Sequence, residues 1–161
     1  MDDVCGLPSG GSVPIAARAL PPEGAPPGLP PRVVVTEPAA ELIRELVGRH
    51  GPVMFHQSGG CCDGSAPMCY PDGEFRVGQR DVLVGEVDLG ATQVRVWISG
   101  TQFETWKHTQ LVLDAIPGRG SGFSLENPTG KRFLSRARMF DAAEQEALAA
   151  FPPRTGADLE E

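Results

Sequence analysis

Residues 33–57 read VVVTEPAAELIRELVGRHGPVMFHQ. Val33-Val34-Val35 is a β-branched run suited to a buried strand. Thr36 stands where a helix N-cap is needed, and Pro38 falls in the first turn, where a missing N–H costs nothing. Ala39, Leu42, Ile43, Leu46 and Val47 then recur at i, i+3, i+4, i+7 and i+8, which is one apolar helical face. Arg49 and His50 occupy the last turn, where the helix dipole favours positive charge, so His50 reads as a helix-end residue rather than a ligand. Gly51-Pro52 stops the helix. Val53-Met54-Phe55-His56-Gln57 opens a second strand.

Beyond this unit the pattern is dominated by strands. Val82 to Val87 is one. Gln93 to Ser99 alternates, with Val94, Val96 and Ile98 on one face and Arg95 and Trp97 on the other. Leu111 to Ile116 is another. Gly90-Ala91-Thr92 and Pro117-Gly118 supply turns. Phe103 to His108 is open between a helical turn and a strand. Asp141 can cap a helix, with Glu144 three residues on completing a capping box, and that helix runs through Leu148 to the stop at Pro152-Pro153. The order predicts an α+β fold, a compact mostly-β domain with an N-terminal helix and a C-terminal helix around a mixed or mostly antiparallel sheet. Seven of the 16 prolines lie between Pro14 and Pro31, so residues 1–31 are expected to form a disordered Pro/Gly-rich tail. Residues 32–151 then form the single domain and residues 152–161 a frayed end.

A chain of 161 residues with 40% hydrophobic and 22% charged residues has the material for one ordinary core. The net charge of −7 argues against a broad nucleic-acid-binding face. No apolar run approaches the ~18 residues of a membrane helix. Met1-Asp2-Asp3 opens without a basic region before an apolar stretch, so no secretion signal is expected and a cytoplasmic location follows.

The densest chemistry is HQSGGCCDGSAPMCY, residues 56–70. Three of the four cysteines, Cys61, Cys62 and Cys69, fall within nine residues, beside His56 and Asp63. Cys5 lies apart and reads as an incidental thiol. A bridge between the adjacent Cys61 and Cys62 would strain the peptide between them. Pairing either with Cys69 is sterically easier, but a reducing compartment disfavours it. A lone cysteine is usually a small core residue; three in a loop rich in glycine point instead to soft-metal or reactive-thiol chemistry. Gly59, Gly60 and Gly64 let the backbone turn sharply and its amides converge, which lowers thiolate pKa values and supplies hydrogen bonds to bound sulfur. The spacing matches no standard zinc finger, and iron, an iron–sulfur cluster, zinc or Cu(I) all suit the donors.

His56 precedes Cys61 by five residues and reads either as a further ligand or as a partly buried strand histidine. If Phe103–His108 is helical, Glu104 and His108 share a face at i, i+4. They then supply a nitrogen and an oxygen ligand, a base with its orienter, or simply a surface pair. Trp97 and Trp106 read as core. Gly118-Arg119-Gly120-Ser121-Gly122 lacks the lysine of a phosphate-binding loop and reads as a mobile turn. Lys131, Arg132, Arg136 and Arg138 form a small basic cluster, read as a solvated face.

HQSGGCCDGSAPMC, followed by WKHTQLVLDAIPGRGSGFSLENPTGKRF, resembles the bacterial family called domain of unknown function 779 over roughly residues 32–150. Members of that family resemble neighbours of aldehyde dehydrogenase genes, which implies a link to alcohol or aldehyde metabolism. A more distant resemblance is to HesB-like A-type iron–sulfur carriers. It rests on TEPAAELI at 36–43, SGGC at 58–61 and GFSLENP at 122–128, in that order. Cys61 matches the first family cysteine. The carriers' closing CxC pair is missing: the chain continues TGKRFLS through Ser135 with no cysteine. Carrier function through the ordinary ligands is therefore excluded, while a related fold with a different ligand set is not.

Two functions follow as expectations. The first is a cytoplasmic metal- or iron–sulfur-binding protein. Cys61, Cys62 and Cys69 are its thiolate ligands, His56 and His108 complete the shell, and Gly59, Gly60 and Gly64 hydrogen-bond the bound group. The resemblance makes it an accessory to an aldehyde dehydrogenase or another metalloprotein, with a second copy of the chain as a further partner and neither nucleic acid nor membrane. The second is a small metal- or thiol-dependent enzyme acting on an aldehyde or a thiol.

Overall fold

Thr36 anchors the chain twice. Its side-chain oxygen accepts from the Ala39 N–H at 3.3 Å, capping helix α1 (Glu37–His50), and its hydroxyl donates to Asp114 Oδ1 at 2.7 Å. The apolar stripe buries Ala39, Ala40, Leu42, Ile43 and Leu46. Gly51 ends the helix at φ 84°, in a conformation that suits glycine, with its N–H on the Val47 carbonyl. The computed structural model describes residues 14–57, 67–74, 76–118 and 124–159.

The flanking strands β2 (Val33–Thr36) and β3 (Val53–Gln57) enter different sheets. Strand β1 (Ile15–Arg18), β2, β7 (Thr109–Pro117) and β8 (Lys131–Met139) form the first sheet, in the order β1-β2-β7-β8. Strands β4 (Met68–Pro71), β5 (Val82–Asp88) and β6 (Gln93–Ile98) join β3 in the second, in the order β4-β3-β6-β5. Both sheets are mixed: β2 runs parallel to β7 and β3 parallel to β6, and the other pairs are antiparallel. The fold is thus α+β. One apolar core takes side chains from both sheets and from α1. Phe55 of β3 meets Phe133 of β8 edge to face, with centroids 4.7 Å apart. Val94, Val96 and Ile98 are buried as the alternation requires; Trp97 and Trp106 are buried as well.

The segment expected to be a disordered tail enters the fold from Pro14 onward. Ile15–Arg18 pairs with β2, and Ala19 bridges to Val87 of β5, so this stretch ties the two sheets together. A Cβ on Gly85 would lie 2.6 Å from Ala19 Cβ and 2.7 Å from Val33 Cγ1, so only glycine admits this approach. Four residues with two alanines carry little strand propensity, and a neighbouring strand's open hydrogen-bonding edge recruits them regardless. The far terminus is also built in. Leu83 N–H donates to Arg154 O, Val82 bridges Thr155, and a short helix α4 (Gly156–Leu159) follows, where the reading expected a frayed end.

Two strands escape the periodicity. β4 is four residues long, and β8 carries the basic cluster read as a solvated face. Arg136 Nε in fact donates to Asp114 Oδ2 at 2.8 Å and Arg138 Nε to Gln110 Oε1 at 3.1 Å, so β7 partners use these charges. Helix α2 (Gly100–Trp106) resolves the open segment as helical, capped by Ser99. Helix α3 (Ala142–Ala149) has the predicted Asp141–Glu144 capping box.

Candidate functional site

Cys69 lies second in β4, directly opposite Phe55 of β3. Paired residues of neighbouring strands share a face, so the thiol points with Phe55 into the interior between the sheets. It is fully buried. Its backbone N–H donates to Ser124 Oγ at 2.8 Å, and its carbonyl accepts from Leu125 N–H at 3.0 Å. The end of the cysteine loop is thereby laid against the Ser-Leu-Glu stretch that precedes β8. Ser124 in turn donates its hydroxyl to Glu126 Oε1. Glu126 is also fully buried, and its Oε2 has no hydrogen-bond partner among the described residues. A turn holds this glutamate in place: its carbonyl accepts from both the N–H and the Oγ1 of Thr129.

The electrostatics follow from burial. Loss of water pushes the Cys69 thiol well above its ordinary range, and the Glu126 carboxylate pushes it further. Burial likewise raises Glu126, opposed by hydrogen bonds from Ser124, from its own backbone and from the Phe133 backbone, and by the charge of Arg132. The pair therefore favours holding protons over holding two adjacent negative charges. A cation reverses that preference, because it rewards both deprotonated forms.

The other candidates are placed differently. His56 is one residue on from Phe55 and pairs with Met68 and Trp97, so it faces away from Cys69, on the outer side of the sheet. There its Nε2 lies 3.0 Å from Asp81 Oδ1. His56 and Cys69 are not brought together. His108 is exposed in the turn before β7, while Cys69 contacts the chain that follows the other end of that strand. Eight strand steps of ~3.3 Å put these ends ~26 Å apart. Glu104 does not meet His108 as a ligand pair; Lys107 Nζ takes it at 2.8 Å. Cys61, Cys62, Gly59, Gly60 and Gly64 lie outside the described residues, as do Cys5 and Arg119 to Gly122 of the glycine-rich turn. Among the described residues no group of three or more His, Cys, Asp and Glu side chains is poised to hold a metal.

Sequence reasoning used SLEN as a landmark and missed Ser124 and Glu126 as site residues. Their signal was a polar pair inside an otherwise apolar approach to β8. Asp81 gave no signal, because only the sheet brings it to His56.

Two mixed sheets around one core, with a thiol and an acid buried together at the base of a cysteine-bearing loop, define an α+β protein with a candidate thiol–carboxyl site. The family model for the domain of unknown function DUF779 matches residues 42–139, well over half of the chain, and the chain belongs to that family. No curated protein and no solved structure matches it. No helix among the described residues is long and apolar enough to cross a membrane.

Proposed function

We propose that this protein binds a metal ion or an iron–sulfur cluster at the cysteine loop, with Cys61 and Cys62 as thiolate ligands and Cys69 at the base. The observation that carries the reading is the clasp of the Cys69 backbone on the Ser124 hydroxyl and the Leu125 N–H, which sets a buried thiol and a buried carboxyl beside the loop's return. The described donors fit such a group in part. Cys69 Sγ is a soft donor and Glu126 Oε2 has no competing hydrogen bond among the described residues, so the remaining ligands must come from the loop. His56 is left out of this ligand set, because it sits on the opposite face of β3. The Cys69 thiol must lose its proton to bind, so affinity rises with pH.

The HesB-like part of the proposal draws support from the same clasp. Of the stretches that carry that resemblance, SGGC lies outside the described residues, while the described part of GFSLENP meets Cys69, eight residues after SGGC, at Ser124. The role of accessory to an aldehyde dehydrogenase rests on the family resemblance.

The deciding experiment is anaerobic purification of the untagged chain, with metals and acid-labile sulfide measured per chain. Near-stoichiometric metal is expected, lost in Cys61→Ser and Cys62→Ser and retained in His56→Gln. Unchanged metal content in both cysteine variants, or no metal even after reconstitution, overturns the reading. A second reading, a thiol-dependent enzyme, is favoured by Glu126, a buried acid with a raised pKa beside a thiol. Rapid alkylation of a single cysteine in metal-free protein, lost with one Cys→Ser variant, is its signature.

A further inference from the structure

A well-formed cavity lies at the edge of the second sheet away from Cys69. It is a cleft of about 660 Å³ over strand β5, the edge of the second sheet opposite to β4 and Cys69. One wall is the proline-rich segment from Arg18 to Arg32, and the other is the chain from Leu148 to Arg154. Both walls are pinned to β5: Leu20 N–H donates to Glu86 O at 2.8 Å, and Leu83 N–H to Arg154 O at 2.9 Å. The cleft is thus part of the fold, roofed by segments that hydrogen-bond to an otherwise open sheet edge. Its size lies within the ~300–1,000 Å³ usual for small-molecule sites.

The lining has a definite chemistry. Leu20, Leu29, Leu83, Val84 and Phe151 make it apolar, together with the flanking prolines. Three arginines, Arg18, Arg32 and Arg154, outnumber the two carboxylates, Glu23 and Glu86, in a chain whose net charge is −7. Arg32 is the informative one. Its Nη2 donates to the carbonyls of Leu148 at 3.0 Å and Phe151 at 3.3 Å, and its guanidinium lies over the Phe103 ring. It is half-buried, and no carboxylate among the described residues forms an ion pair with it. Neither Nε nor Nη1 hydrogen-bonds to another described residue. A guanidinium taken partly out of water with no counter-ion is costly, and burial alone pulls its pKa down. A planar carboxylate offers the matching bidentate acceptor.

We infer that this cleft is a binding site for a small amphipathic monocarboxylate, with its hydrocarbon chain on Leu83 and Val84 and its carboxylate at the open side of Arg32. The site is separate from the Cys69–Glu126 pair, which lies at the other edge of the second sheet.

The test uses the full-length chain, labelled with nitrogen-15 and titrated with sodium octanoate at constant pH and ionic strength, beside octan-1-ol as the uncharged analogue. The expected result is saturable submillimolar binding, with amide shifts grouped on residues 19–32, 83–86 and 148–154. Octanol should bind about tenfold more weakly, the share carried by a charge-assisted pair. Arg32→Gln should bring octanoate down to the octanol affinity. Arg32 also holds the Leu148 and Phe151 carbonyls, so its loss can disturb the fold. Leu20→Trp, at a position 41% exposed, fills the cleft instead and should abolish binding of both ligands while leaving the remaining spectrum in place. No saturable shifts up to about 10 mM, equal affinity for octanoate and octanol, or shifts centred on the β4 edge would each overturn the assignment.

Discussion

At the scale of single residues, the chemistry of this protein concentrates where burial and charge collide. Glu126 is fully enclosed, and its carboxyl pKa is raised above that of the unfolded chain. The sign of the pH effect follows. A carboxyl whose folded-state pKa is raised binds its proton more tightly when folded. Its stabilising contribution is therefore fully present below the unfolded value near 4.5 and is lost as pH rises through the folded value. In metal-free protein, Glu126→Gln keeps the acceptor for Ser124 and removes the ionisation. The variant should melt higher than the parent at pH 7, and the gain should shrink as the pH falls through the raised folded value and be gone below about 4.5. Thermal melts across that range check it; a variant less stable at every pH would mean that the carboxylate is held by interactions stronger than its desolvation. Thr36, by contrast, is a residue whose structural role was half legible. Its place before Glu37-Pro38 marks the cap, but its hydroxyl's bond to Asp114, 78 residues away, is not visible in any local pattern.

At the scale of elements, the long periodic segments declare themselves and the short ones depend on neighbours. Helix α1, strands β3, β5, β6 and β7 and the capping box of α3 are carried by the spacing of their own residues. β1, β4 and α4 span four residues each, too few to carry a period, and β8 hides its alternation behind four basic residues. β1 exists because β2 and β5 offer it partners, and Gly85 is the point of closest approach. Gly85→Val should therefore push Ala19 and Val33 away, at a cost of about 2 kcal/mol. Urea unfolding measures the loss, and faster amide exchange at Ala19 and Leu20 locates it. An unaltered midpoint would show that β1 and β5 are not held in register there.

At the scale of the whole molecule, the N-terminal segment is structural. Between Pro14 and Arg32 it supplies an edge strand, a bridge between the sheets and one wall of the cleft. Deleting residues 1–31 removes those backbone hydrogen bonds and uncovers Val33 and Val35, both fully buried in the intact fold. The shortened chain should lose at least about 3 kcal/mol of stability, from exposed apolar area and unpaired backbone. An unchanged urea midpoint would show that the segment adds nothing to the fold, as expected of a disordered tail. The topology also separates two chemistries. The thiol–carboxyl pair lies at the β4 side of the second sheet and the arginine-lined cleft at the β5 side.

The α+β class, the capped first helix, the apolar stripe that buries it and the cysteine-rich loop belong to the sequence alone, because each is a local pattern of spacing and propensity. Which candidates share a site was decided only by the tertiary structure. One-residue alternation along β3 sends His56 to the outer face while its neighbour Phe55 shares the interior with Cys69, and the length of β7 carries His108 away. The partners of Cys69 are Ser124 and Glu126, more than fifty residues on, joined to it by strand pairing and burial rather than by any spacing a reader of the chain could measure.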